Sequence, residues 1–188
     1  MPHFLSADVI ESVNQKPSLP VFLDPATLPT LTLVIAQEYS EDRHSKILAK
    51  QILKHSSYPE DQVHVKHFSS LDWASHFCID NASMQKPLII GDIMMPIRSF
   101  PMDAEKHLRE LRHQLLLTNR KMIMLMSGFT NQWNLTQQAD SVLQLVVMTD
   151  CLARAEPSDT FYGICCRKWR GKLDLPHYYA FMSSWGER

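Results

Sequence analysis

Residues 87–96 read P-L-I-I-G-D-I-M-M-P, an apolar run interrupted by a single charged residue, Asp92. The length and branching of L-I-I describe a strand buried on both faces. A carboxylate at the end of such a strand is costly to place unless it is paired or put to use. Two chemistries end a central strand this way. One orders a magnesium ion for nucleotide hydrolysis, and the other accepts a phosphoryl group. The rest of the chain has to choose between them.

Upstream, L-T-L-V-I-A (31–36) is another buried strand by length and branching. A helix is expected over 41–55, with Ile47, Leu48 and Ile52 forming an apolar stripe. V-H-V-K-H-F (63–68) alternates as a strand, and 70–80 reads as a short helix. Downstream, 103–118 predicts a helix with Leu108, Leu111 and Leu115 on one face and acids in its first turn. Four more strands are expected in M-I-M-L-M-S (122–127), S-V-L-Q-L-V-V-M (141–148), Y-G-I-C-C-R-K-W (162–169) and Y-Y-A-F-M-S (178–183). Strands alternating with helices predict an α/β sandwich around a mostly parallel sheet. The last three strands have no helix between them, which predicts an antiparallel or mixed C-terminal extension. In such sheets sites form at the carboxyl ends of the strands, where Asp92 would lie.

The 188 residues suit one domain over 31–188, preceded by a proline-rich arm over 1–30 that carries Pro17, Pro20, Pro25 and Pro29. A short helix over 7–14, capped by Ser6, is expected within the arm. A formal net charge of -1 offers no general reason to bind nucleic acid or an anionic membrane. No apolar run approaches the roughly 18 residues needed to cross a bilayer, and the first residues lack the pattern of a signal peptide. Cys78, Cys151, Cys165 and Cys166 suit no disulfide framework or zinc spacing, so reduced thiols in a cytoplasmic protein are expected. No metal site is expected among the histidines: His64 and His67 would face opposite ways on a strand, and His107 and His113 do not share a helix face. Met122, Met124 and Met126 read as core filling, and Ser127-Gly128 lacks the context of a nucleophile elbow.

D-I-M-M-P resembles the phosphoacceptor strand end of response-regulator receivers, and M-I-M-L-M-S-G resembles their following strand, ending in Ser127. A receiver needs an acidic pair after its first strand, yet A-Q-E leaves Glu38 alone. It also needs a lysine that V-V-M-T-D does not contain, and it has no place for the last two strands. A second resemblance covers about residues 31–186. The order L-V-I-A-Q-E-Y-S-E-D, helix, strand, helix, L-I-I-G-D, helix, M-I-M-L-M-S and A-D-S-V-L-Q-L, closing on I-C-C-R-K-W-R-G-K and H-Y-Y-A-F-M-S-S-W-G, resembles the RecA-like ATPase core in the branch of KaiC and DnaB-type helicases. That resemblance implies a three-layer P-loop NTPase-type sandwich. It gives Asp92 the Walker B role, ordering magnesium through water, and Glu38 that of polarising the attacking water. Lys168 and Arg170 become a finger pair reaching a neighbour's γ-phosphate. The plainer readings are that Asp92 caps a turn or pairs with Arg98, that Glu38 is a solvated acid, and that Lys168 and Arg170 form a solvated basic edge.

What the chain lacks decides the functional expectation. A phosphate loop, G-x-x-x-x-G-K-[ST], needs glycine so that consecutive backbone N–H groups can turn toward the phosphates. The best offset, Y-S-E-D-R-H-S-K (39–46), contains none, and it sets Glu41 and Asp42 where phosphate oxygens would lie. Repulsion there costs a few kcal/mol at intermediate dielectric. The expectation is a RecA-like pseudo-ATPase that hydrolyses no ATP alone and has no cofactor of its own, with ATP and magnesium only at a partner's interface. It would be a structural subunit or regulator assembling with itself or with an active RecA-like ATPase, in DNA replication or repair by family association. The alternatives are a degenerate receiver-like signalling domain and an ATPase with a cryptic site. Arg167, Lys168, Arg170 and Lys172 around Trp169 make a basic-aromatic patch that could also contact single-stranded nucleic acid.

Overall fold

A computed structural model of the chain describes residues 19–36, 43–80, 86–93, 104–127, 137–148, 159–169 and 177–184. In chain order these form β1 (Leu31–Ala36), α1 (Arg43–His55), β2 (Val63–Phe68), α2 (Leu71–Asp80), β3 (Leu88–Ile93), α3 (Ala104–Leu117), β4 (Lys121–Ser127), β5 (Ser141–Met148), β6 (Asp159–Lys168) and β7 (His177–Ser184). The strands make one seven-stranded sheet in the order β2-β3-β4-β1-β5-β6-β7. The pairs from β2 to β5 are parallel, and the β5–β6 and β6–β7 pairs are antiparallel. Of the seven described strands only β6 therefore runs against the rest.

Side-chain period sets the two cores. Alternate residues of β1, β3 and β4 point to opposite faces. Val34, Leu88, Ile90, Ile123 and Leu125 pack with Leu48, Ala49 and Ile52 of α1. Leu33, Ile89, Ile93, Met122 and Met124 pack with Ala74 and Cys78 of α2 and with Leu108, Leu111 and Leu115 of α3. The result is an α/β fold with helices on both faces of a mostly parallel sheet. β3 is buried along its whole length, while the middle of β2 is exposed, as suits a central strand and an edge strand.

The end of the expected arm belongs to this core. Residues 20–28 fold into two tight turns, with the N–H groups of Leu23 and Asp24 donating to Pro20 O, and those of Thr27 and Leu28 to Asp24 O, at 3.0–3.1 Å. Phe22, Leu23 and Leu28 are buried against the α1 side. Residues 1–18, with the helix expected over 7–14, lie outside the described residues.

A receiver orders its strands β2-β1-β3-β4-β5. Here β4 separates β1 from β3, and β6 and β7 continue the sheet beyond β5. At the carboxyl ends, β1 leads to α1 on one face, whereas β2 and β3 lead to α2 and α3 on the other. In α/β sheets a divergence of this kind is where ligands are commonly held.

Candidate functional site

Asp92 is the fifth of the six residues of β3, near its carboxyl end, and only 1% of it is exposed. The alternation that puts Leu88 and Ile90 on the α1 face puts Asp92 there too. Ser45, in the first turn of α1 and equally buried, donates its hydroxyl to Asp92 Oδ2. His67, directly opposite Asp92 in the β2–β3 register, presents Nδ1 to Oδ1. Both carboxylate oxygens are thus bonded, which offsets the cost of burying the group. The arrangement differs from a nucleophilic triad, in which the histidine stands between hydroxyl and acid. Here the acid stands between hydroxyl and histidine, so the Ser45 hydroxyl faces the Asp92 carboxylate and not the imidazole.

His67 keeps 42% of its side chain exposed, which leaves the cluster open to the sheet edge. His64, three residues earlier, faces the other way and stacks on Phe77 with ring centroids 5.1 Å apart. Burial, assisted by Lys86, Lys66 and Arg120, lowers the His64 pKa from its usual value. The two histidines therefore serve opposite faces, as the strand period requires.

The expected finger residues sit elsewhere. Lys168 ends β6 four strands from Asp92, roughly 19 Å away at the usual strand spacing. Val142 pairs with Lys168 while Leu143 pairs with Cys166, so a β-bulge at Arg167 interrupts the alternation. Lys168 is thereby turned to the α3 side, where Nζ donates to Ala139 O at 2.8 Å. Trp169 packs against the α1-side core. Arg167 is exposed and donates through Nε and Nη2 to Gln144 Oε1 at 3.0 and 2.6 Å. Glu38, Arg98, Arg170 and Lys172 lie outside the described residues.

Sequence reading missed Ser45 and His67. The signal for Ser45 was its place in the first turn of the helix that follows β1, among the residues of the missing phosphate loop. The signal for His67 was the alternation that gives it the face opposite to His64. Neither signal named Asp92 as the partner.

No family model matches the chain. No curated protein matches it either.

Ser45 and His67 already occupy both oxygens of Asp92. The segment between β1 and α1 supplies no glycine for a backbone cradle, and it carries Glu38, Glu41 and Asp42. Among the described residues no helix is long and apolar enough to cross a membrane.

Proposed function

We propose that the chain is a RecA-like pseudo-ATPase: a P-loop-type scaffold that has lost its phosphate cradle and works by assembling with itself or with an active RecA-like ATPase. The contact between Ser45 and Asp92 carries this reading. In a working P-loop enzyme the loop's final Ser or Thr and the strand-end aspartate hold one magnesium ion between them. Ser45 and Asp92 are placed compatibly with that relation, from the first turn of the helix after β1 and from the end of β3, which β4 separates from β1.

Counting back from Ser45 sets the lost loop at E-Y-S-E-D-R-H-S (38–45), one residue earlier than composition suggests. In that register Glu38 and Arg43 take the two positions that demand glycine, and His44 takes the place of the lysine. Glu38 becomes the first residue of the vestigial loop rather than a group that polarises water. The His67 ring on the second oxygen of Asp92 fits the same reading, because it gives the carboxylate a second partner from the protein itself. A scaffold of this kind retains its flanks for association, with Lys168 and Arg170 the residues that would meet a partner's nucleotide. DNA replication or repair is the process implied by the resemblance.

Two measurements on the full chain test the proposal. Light scattering behind a sizing column, with and without a candidate RecA-like ATPase, is expected to show an assembly. Equilibrium binding is expected to show no saturable uptake of ATP with magnesium. A strict monomer that no such ATPase recruits, or metal-dependent capture of ATP at about micromolar concentration, would refute it.

A further inference from the structure

On the face of the sheet opposite Asp92, a cavity of about 560 Å³ opens between α3, residues 137–140 and the end of β6. Its size falls within the roughly 300–1,000 Å³ of small-molecule sites. Arg109, Arg112 and His113 enter it from successive turns of α3, and Lys168 enters from β6. Asp140 is the one carboxylate among the described residues of the lining, and Leu116 gives it an apolar side.

Three permanent cations against one acid leave a surplus of two positive charges. The acid is already paired with Arg112, inside the lining. Asp140 Oδ2 accepts from the Leu31 N–H at 3.0 Å, and both its oxygens accept from Arg112 at 2.8–3.1 Å. These bonds use Nε and Nη2 of Arg112, so its guanidinium is held still with Nη1 directed elsewhere. Arg109 and His113 make no hydrogen bond or ion pair among the described residues. The bulge at Arg167 supplies Lys168, because unbroken alternation from Cys166 would have sent that ammonium to the α1 face. Bulges that re-aim a side chain in this way concentrate beside functional sites.

We infer that this cavity binds a small phosphorylated molecule, with Arg109, Arg112 and Lys168 receiving the phosphate and Leu116 lying against its organic part. A fixed guanidinium fork suits phosphate oxygens, and the second arginine and the ammonium complete the charge. The site is separate from the Ser45–Asp92–His67 cluster and is independent of the chain's descent from a nucleotide motor.

Inorganic pyrophosphate, titrated into the full chain at about 0.15 M salt so that charges outside the cavity are largely screened, is the probe. The expected result is saturable binding at one site per chain, weakened about tenfold or more by Arg109→Glu and by Lys168→Met. Arg167→Glu makes the same charge change outside the cavity and is expected to leave affinity within about twofold. Arg109 bonds nothing among the described residues, so its variant should melt with the parent; if it does not, Lys168→Met decides alone. No saturation by about 10 mM pyrophosphate, or equal weakening by Arg109→Glu and Arg167→Glu, overturns the assignment. So does a short single-stranded oligonucleotide that binds through Arg109 while pyrophosphate fails to displace it, which would make the surface a nucleic-acid contact.

Discussion

Gly91 stands beside Asp92 on β3, and a Cβ built on it would lie 2.7 Å from Cε2 and 3.0 Å from Cδ2 of Phe68. Phe68 is buried and packs edge-on against Phe77, so the ring has little room to yield. Gly91→Ala is therefore expected to lower stability by about 1–3 kcal/mol through overpacking, read as a fall in the denaturant midpoint with an unchanged slope. The neighbouring carboxylate gives a second test. Asp92→Ala removes the buried carboxylate that accepts from Ser45, and should cost about 1–3 kcal/mol. Asp92→Asn, which keeps an acceptor for the hydroxyl, should cost less in the same unfolding assay. His67 adds little to that difference, because at 42% exposure water can replace its partner.

Helix α3 shows how an element is held from both ends of its pattern. Leu108, Leu111 and Leu115 are fully buried at spacings of three and four, whereas Leu117 is 66% exposed. Leu111→Ala should cost about 2–5 kcal/mol and Leu117→Ala almost nothing, a contrast that thermal melts can measure. The helix stops at Asn119, whose φ of 52° is left-handed. Asn119 N–H donates to Leu116 O at 3.2 Å and Arg120 N–H to Leu115 O at 2.9 Å, the paired bonds of a Schellman cap. Asn119→Ala is expected to lose about 1 kcal/mol and Asn119→Gly to lose nothing. The helix periodicity was legible in the sequence to within a residue or so at each end. The cap was less legible, because asparagine marks a left-handed turn more weakly than glycine does.

At the scale of the whole molecule, stability should follow the charge state of His64. Burial first, then Lys86, Lys66 and Arg120, resists its protonation in the folded chain. The unfolded chain binds that proton near the ordinary value of 6.5. Stability is therefore full above that pH and declines as the pH falls below it. Urea midpoints at about pH 7.5 and about pH 5.5 should differ less in His64→Leu than in the parent. Cysteine reactivity reports on the same core. Burial, partly opposed by Arg120, pushes the Cys78 thiol up to about 11. At pH 8 roughly one such group in a thousand is thiolate, so a disulfide-exchange reagent should label Cys78 only as fast as the chain unfolds.

The order of strands and helices, the buried central strands and the absence of a glycine-bearing phosphate loop can all be read from local pattern, because hydrophobic period and turn chemistry act over a few residues. The antiparallel C-terminal pair was legible for the same reason, since three strands without helices leave no room for parallel crossovers. The pairing of Asp92 with Ser45 and His67 joins residues 47 and 25 positions apart. It exists only once β2, β3 and α1 share a face. The face taken by Lys168 was likewise beyond the sequence, since one extra residue in β6 opposite β5 reverses everything that period two would say. Local periodicity names the face on which a residue lies; only the packing of distant segments decides what it meets there.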